Sequence, residues 1–509
     1  MTYKAENDKK MRSDSLLFIT EDIDKNLGPL GLHSVVISFG AQSVIVMLKV
    51  ISAVVLARLL SPSDYGVIFM VGSLVGLLSV FKDFGLSMGT IQSKEINHEQ
   101  ISILFWVNVA VSVVLCCTGI VCAPFLSDFY NNPSVLLATI ALSLAFIPNG
   151  LTIQHQALLK RRMRYFSLAI AEIVSQLCSV MVAIVAALCG AGFWALVYMQ
   201  LSYAISYMII VWIATAWVPG LPARATGASS ILSFGSYLSL FGGVNYFLRN
   251  ADNILIGRYW GEVALGFYGK AYELLMLPIQ SIASPLGNVC IPVLCRLQDQ
   301  PEKHGRCYSH FMAVLFLCTM PIVMLCNIHA REMIAIVLGP QWIEAGEIFY
   351  YLSFGSVAQI VCSTAGWLYV SLGRARELFR YGSIGAAIFI VFFFVGVPYG
   401  MLGVAIAYSV AMLVWLIPCM LLATRNTAVR LPMIWSELMV NLVAMAIGGG
   451  ASYYSRCLVS SVSHSHYGLL VAIAVGLLFY FAVVLGLFGR WRVLRIVLEY
   501  GSRRNISGV

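Results

Sequence analysis

RLLSPSDYG, residues 58–66, and RYWGEVALG, residues 258–266, stand two hundred residues apart. Each opens on an arginine, has a small residue three places on (Ser61, Gly261) and ends on a glycine eight places on (Gly66, Gly266). Each follows an apolar segment with Ser-Phe-Gly near its start, at 38–40 and 233–235. Two further echoes keep the same order. GAGFWAL (190–196) answers GMLGVAI (400–406), and the basic KRRMRYF (160–166) answers RARELFR (374–380). The pattern predicts one bundle of six helices duplicated in the same orientation, related by an axis along the membrane normal. Two-lobe membrane proteins of this kind, with a site near the midplane, are commonly transporters.

Composition names the solvent. The chain has 509 residues, 60% hydrophobic and 11% charged, where a soluble domain carries roughly 25% charge. Only helices and closed barrels satisfy their backbone in hydrocarbon, and the apolar runs here are continuous, not alternating. The fold class expected is all-α integral membrane, about 14 transmembrane helices in two parallel six-helix lobes plus two C-terminal helices. The spans fall at 34–57, 64–81, 101–126, 134–156, 165–189, 192–216, 231–250, 264–290, 310–327, 347–371, 378–397, 401–423, 434–455 and 467–488. This gives a cytoplasmic tail (1–30), an N-lobe (31–216), a Pro- and Gly-containing linker (217–230), a C-lobe (231–425), helices 13–14 (426–489) and a basic cytoplasmic tail (490–509). The first 30 residues are polar and mixed in charge, so no cleavable signal peptide is expected.

The basic residues test this map. With the N-terminus cytoplasmic, 25 Lys and Arg fall on the inside and five outside: Arg58, Arg249, Arg258, Arg331 and Arg456. Lys49 and Lys270 lie within spans, which accounts for all 32. Such a split is what the positive-inside rule demands. It predicts a multi-pass membrane protein with both termini cytoplasmic. The net charge of +9 is then the rim that meets anionic lipid headgroups, not a nucleic-acid surface. The thirteen Cys are scattered without a C-x-x-C, and the eight His show no ligand spacing within spans, so no metal centre or disulfide framework is expected.

A charge at a helix centre costs about 2.5–3.5 kcal/mol on insertion scales, so it ordinarily faces a cavity or a partner. Gln42 and Lys49 share one face of the first span with Ser38 and Ser52. Asn245, Arg249 and Asp252 share a face around the seventh, and Lys270 and Glu273 stand three apart in the eighth. Glu172 shares a face of the fifth with Ser175 and Gln176. One reading is a hydrophilic cavity between the lobes. Lys49, Arg249 and Lys270, helped by Gln42 and Asn245, would hold an anion such as a pyrophosphate. Asp252, Glu273 or Glu172 would bind a proton or Na⁺. The competing reading is structural, with ion pairs Arg249–Asp252 and Lys270–Glu273 at i,i+3. Pro278, Pro285 and Pro292 can kink the eighth helix, and Gly72 and Gly76 form a G-x-x-x-G for close packing. REMIAIVLGPQW, within the loop 328–346, is expected to form an interfacial helix closed by Gly339-Pro340.

LRNADNILIGRYWGEVALGFYGKAYELLMLPIQSIASPLGNVCIPVLCRLQ (248–297) resembles the polysaccharide-transporter family of O-antigen and exopolysaccharide flippases, and within it the colanic-acid-exporter-like branch. ALLKRRMRYFSLAIAEIVS (157–175), GAGFWALV (190–197), LGPQW (338–342) and GWLYVSLGR (366–374) are similar to that branch as well. The resemblance covers about residues 31–425. It implies two six-helix lobes of the multidrug/oligosaccharidyl-lipid/polysaccharide exporter superfamily. It implies a cargo, an undecaprenyl-pyrophosphate-linked oligosaccharide, moved to the periplasmic leaflet for lipopolysaccharide or exopolysaccharide synthesis. It also implies ion-coupled alternating access without ATP, no cofactor beyond the coupling proton or Na⁺, and a polysaccharide polymerase and chain-length regulator as candidate partners. The cationic lining is carried onto Arg249 with Asp252 and onto Lys270 with Glu273; Lys49 and Glu172 rest on the argument from burial. No G-x-x-x-x-G-K-[ST] loop is present. Two other readings stay open, a cation-coupled multidrug exporter of the same superfamily and a non-transport membrane component of a polysaccharide synthesis complex. A polymerase or acyltransferase fits less well, because no long outer loop or buried His base is evident.

Overall fold

The computed structural model describes residues 27–83, 85–92, 96–221, 242–243, 246–247, 249–460 and 467–487. Among the described residues, twelve helical stretches are long and apolar enough to cross a membrane. One of them, Ala375–Thr424, is 50 residues long and holds the eleventh and twelfth expected spans, separated by a 3-10 turn at Val397–Tyr399. The expected seventh span, 231–250, falls mostly outside the described residues. The expectation of about fourteen spans and these twelve stretches are therefore two divisions of the same helical chain. By its internal contacts the chain divides into two compact units, Met1–Gly266 and Phe267–Val509.

The first unit contains α1 (Leu27–Leu59), α2 (Pro62–Ser79), a short α3 (Leu86–Gln92), α4 (His98–Tyr130), α5 (Pro133–Ser143), α6 (Phe146–Arg161), α7 (Tyr165–Leu188) and α8 (Trp194–Thr215). Local chemistry sets the breaks. Ser61 caps α2, with its hydroxyl accepting from the Asp64 N–H and the Asp64 carboxylate accepting from the Ser61 N–H at 2.9 Å. Pro62 follows as the first helical residue, where its missing N–H costs nothing. Asn97 makes the same reciprocal box with Gln100 at the start of α4. α4 ends on Asn131 in the left-handed conformation, and Asn132 caps α5 ahead of Pro133. Each such cap is worth about 1 kcal/mol.

The second copy of the opening motif breaks differently. α9 (Ala251–Arg296) has helical backbone angles throughout except at Gly261, whose φ of 80° and ψ of −174° end one helix and begin the next. Glycine takes this conformation without a Cβ penalty. The break between the seventh and eighth spans therefore lies at Gly261, not across 250–264 as the hydropathy suggests. The prolines at 278, 285 and 292 sit inside the helix without interrupting it. Arg249 stands ahead of this helix. It lies twelve residues before the break and two before the first residue of α9, on the far side of a turn at Asn250.

The echoed glycines are where the two copies of the motif touch. A Cβ on Gly66 would lie 1.8 Å from the carbonyl oxygen of Glu262, and one on Gly266 would lie 1.9 Å from that of Pro62. Position 66 meets 262, and 266 meets 62. The repeat is thus reciprocal in space, backbone against backbone. Gly76 packs the same way on the ring of Tyr246, whose hydroxyl donates to the Gly72 carbonyl at 2.8 Å. Beside the crossing, Asn132 Nδ2 donates to Glu262 Oε2 at 3.2 Å, and the Arg258 guanidinium lies 5.6 Å from the centre of the Phe129 ring. Arg258 is thereby placed on the α4–α5 turn.

The segment after α8 stays on the first unit as far as it is described. Trp217 is fully buried among Phe105, Leu158 and Trp212. Trp217 Nε1 donates to His98 Nδ1 at 3.1 Å, the Gly220 N–H donates to Ser102 Oγ at 2.9 Å, and Trp106 Nε1 donates to the Gly220 carbonyl at 2.8 Å. The first residues of the expected linker, 217–220, are therefore docked on α4. The remainder, 222–230, lies outside the described residues.

The second unit continues α9 into α10 (Pro301–Ile328), the short, strongly amphipathic α11 (Ala330–Val337), α12 (Ile343–Ser371), α13 (Ala375–Gly396), α14 (Gly400–Thr424), α15 (Leu431–Ser460) and α16 (Tyr467–Phe481). α11 is a helix at the place expected from REMIAIVLGPQW. It ends ahead of Gly339, at φ 108°, and a 3-10 turn then buries Trp342 completely. The basic echo also has a structural reading. Arg164 Nη1 donates to the Ala214 carbonyl at 3.1 Å, and Arg374 Nη1 donates to the Ala423 carbonyl at 3.2 Å. Each arginine stands ahead of the fifth helix of its copy and closes the C-terminus of the sixth, where a cation is favoured.

α11 is tied to α15. Buried His329 hydrogen-bonds Ser452 Oγ at 2.8 Å, and Ser452 in turn donates to the Ala472 carbonyl at 2.7 Å. Glu332 pairs with Arg456 at 3.1 Å. Burial holds the His329 imidazole below its ordinary value, Glu332 pulling it up and Arg456 pushing it down to lesser degrees. The unfolded chain then takes up a proton, from about pH 6.5 downward, that the folded chain refuses, so stability is lost as pH falls. The midpoint of thermal unfolding in detergent should drop on going from about pH 7.5 to about pH 5.5. His329→Gln should flatten part of that slope, and an unchanged slope in the variant would assign it elsewhere.

Candidate functional site

The first unit encloses a cavity of about 670 Å³ among α1, α2 and the α5–α8 helices. Two of the residues singled out from sequence line it, Lys49 from α1 and Glu172 from α7. α1 packs along α7, which brings these helices to one cavity. Lys49 is exposed to the cavity and Glu172 is half-buried. Neither forms an ion pair among the described residues. Each therefore sits at membrane depth as a charge uncompensated by a described side chain, an arrangement that ordinarily marks a ligand or ion path. Gln176, one turn beyond Glu172, lines the cavity as expected from the shared face.

The cavity contains more than the sequence reading found. Lys82, just past the end of α2, is a second exposed cation on its wall. Gln200 and Tyr203 of α8, Asn149 of α6 and Tyr246 line it too. The spacing of Gln200 and Tyr203, three apart in an apolar span, is the same signal that marked Glu172 and Gln176, and it picks out one face of α8. Tyr203 stacks on Tyr207 at 5.7 Å between ring centres and 5° between planes, and Tyr207 accepts from Gln156 Nε2 at 2.9 Å.

The other candidates separate. Gln42 is exposed and is not among the residues that line the cavity. Ser52, on the same helix, is buried and points to Met199 Sδ at 3.9 Å. Asn245 lies outside the described residues. Arg249 is exposed and forms no ion pair with Asp252, so the expected intrahelical bridge is not formed. Asp252 is 4% exposed, and one of its carboxylate oxygens accepts from the Asn253 N–H at 2.8 Å. Lys270 and Glu273 belong to the second unit and do form their bridge, at 3.1 Å, with Lys270 buried and Glu273 partly exposed. Tyr268 stacks on Tyr272, which meets the edge of Tyr408, and Tyr408 donates to Gln359. Lys270 thus stands in a polar and aromatic patch of its own unit.

The offset of the repeat relates two of these cations. Lys49 lies twelve residues before Ser61, and Arg249 lies twelve before Gly261. The two cations hold the same position in the two copies of the repeat. Among the described residues no cluster of His, Cys, Asp and Glu is arranged to hold a metal ion.

Residues 55–347 match the family model described as "Polysaccharide biosynthesis protein". The chain is 22% identical over 386 residues to the lipopolysaccharide biosynthesis protein WzxC of Escherichia coli (strain K12), covering 74% of this chain and 77% of that protein. It is 23% identical over 342 residues to the succinoglycan biosynthesis transport protein ExoT of Rhizobium meliloti (strain 1021), covering 67% of this chain and 69% of that one. Its fold is that of the lipid II flippase MurJ in an inward closed conformation, with a TM-score of 0.71 over 91% of this chain and all of that one at 12% identity. A family model that spans more than half the chain, and a fold match over nearly all of it, agree with the helical repeat described above: this chain belongs to the polysaccharide biosynthesis protein family.

Proposed function

We propose that the protein is an ion-coupled flippase that carries an undecaprenyl-pyrophosphate-linked oligosaccharide across the bacterial inner membrane by alternating access. One observation carries this reading. Lys49 lines a cavity at membrane depth with no ion pair among the described residues, and Lys82 lines the same cavity. A pyrophosphate supplies the anionic partner that such lysines lack, and a lysine meets it as a point charge. Glu172 on the same wall is the candidate to bind the coupling proton or Na⁺, with Asp252 and Glu273 as the alternatives. The roles of the relatives, in lipopolysaccharide biosynthesis, succinoglycan transport and lipid II flipping, support a lipid-linked glycan as cargo. A polysaccharide polymerase and a chain-length regulator are the partners such a cargo would meet on the far side. Two lysines against one glutamate make the cavity a poor host for cationic drugs, which counts against the multidrug-exporter reading.

The test is Lys49→Ala in cells that depend on this protein for surface polysaccharide. Losing one charge-assisted contact to phosphate, worth about 1.5–3 kcal/mol, should lower polymer output roughly tenfold or more. The amount of protein in the membrane should not change, and Lys49→Arg should retain part of the output. Undiminished polymer from Lys49→Ala would overturn the proposal.

A further inference from the structure

The cavity carries two chemistries on different helices. Its cations, Lys49 and Lys82, come from α1 and the end of α2, whereas Gln176, Gln200 and Tyr203 come from α7 and α8. We infer that the α7–α8 wall is a saccharide subsite, which binds the first sugar rings of the cargo while the lysines hold its phosphates. This rests on the function proposed above and adds to it the part of the cargo read by this wall.

Three observations carry the assignment. Gln176 and Gln200 are held within membrane-spanning helices, and their side-chain amides have no hydrogen-bond partner among the described residues. Gln176 is half-buried and Gln200 exposed where they line the cavity, so both amides are available to a polar ligand that enters it. A carboxamide presents two donors and an acceptor, which complement the adjacent hydroxyls of a sugar ring. They would do nothing for a polyprenyl chain. Tyr203 supplies the second element. Its ring is braced by the parallel ring of Tyr207, which Gln156 fixes through the 2.9 Å hydrogen bond. A rigid aromatic face beside free amides suits the apolar C–H face of a sugar and its hydroxyl edge together. The third element is size. A cavity of about 670 Å³ is far larger than a pyrophosphate group and falls in the range of sites that enclose a whole ligand.

The experiment compares two lipids against the full-length protein in nanodiscs. One is undecaprenyl pyrophosphate. The other is the same lipid bearing the oligosaccharide repeat unit, extracted from a strain that lacks this protein. The wild type should bind the glycosylated lipid about tenfold more tightly than the bare one, the equivalent of one or two net hydrogen bonds. Gln200→Leu, Gln176→Leu and Tyr203→Ala should each bring that ratio toward one and leave the affinity for the bare lipid unchanged. Lys49→Ala should weaken both lipids alike and preserve the ratio. Leucine keeps an aliphatic side chain and removes the amide, so these two variants test the amide even where Tyr203→Ala disturbs the stack. Equal affinity of the wild type for both lipids, or a ratio that survives Gln200→Leu and Gln176→Leu, overturns the subsite and leaves the flippase reading standing. Binding of neither lipid to the wild type overturns both.

Discussion

Replacing Gly266 with valine is expected to remove most folded protein from the membrane. The Cβ alone would stand 1.9 Å from the Pro62 carbonyl oxygen and 2.7 Å from its carbon. Those atoms are backbone in a capped first turn, held by the Ser61–Asp64 box. They cannot rotate aside as a side chain can. The helices must separate by more than an ångström, and the dispersion contacts along the crossing go with that separation. Overpacking of flexible cores costs about 1–3 kcal/mol, and a collision with fixed backbone exceeds that. The loss is then comparable to the 5–15 kcal/mol that holds a whole domain. Gly66→Val should behave alike, because its Cβ would lie 1.8 Å from the Glu262 carbonyl oxygen. The control sits six residues further along α2. A Cβ on Gly72 would meet nothing within 4 Å, so Gly72→Ala should be tolerated. Size-exclusion chromatography of fluorescent fusions reads all three. A monodisperse Gly266→Val peak at wild-type height would show that the crossing can open without loss of fold.

This contrast shows what was legible in the sequence and what was not. The echo at 58–66 and 258–266 announced the duplication because its glycines are fixed by backbone contact, and few other residues can replace them. The basic echo was legible for a similar reason, since Arg164 and Arg374 each close a helix C-terminus in the same place. The small third residue of the motif was visible, but its meaning was not. Ser61 ends a helix through a side-chain cap and Gly261 through a left-handed backbone, two chemistries that share only smallness. Hydropathy averages over such a break, so it put the end of the seventh span near 250 and missed the turn at Gly261. The equivalence of Lys49 and Arg249, by contrast, follows from the two-hundred-residue offset itself. The aromatic and amide wall was hidden differently. Gln200 and Tyr203 lie in a span rich in tyrosine and methionine, where neither stands out as a charge does. Only packing shows that they share a cavity with Glu172 and Lys49.

Arg249→Ala is expected to abolish surface polysaccharide while leaving the protein inserted and folded. The two halves of that expectation rest on different facts. Arg249 is exposed and forms no ion pair among the described residues. Its truncation therefore breaks no described contact, and surface changes of this kind stay within about ±0.5 kcal/mol. Its place in the repeat matches that of Lys49, three residues beyond Tyr246 of the cavity wall. If the repeat presents its two cations to one anion, then removing either should be nearly as damaging as removing both, since residues that act on one group are strongly non-additive. Polymer output in Arg249→Ala should fall at least about tenfold, as for a lost charge-assisted bond to phosphate. Arg249→Lys should recover only part of it, because a lysine lacks the planar fork that meets phosphate through two bonds. The double variant Lys49→Ala, Arg249→Ala should be scarcely worse than either single one. Fully additive losses would mean that the two cations act on separate groups, and normal output from Arg249→Ala would remove it from the path of the cargo.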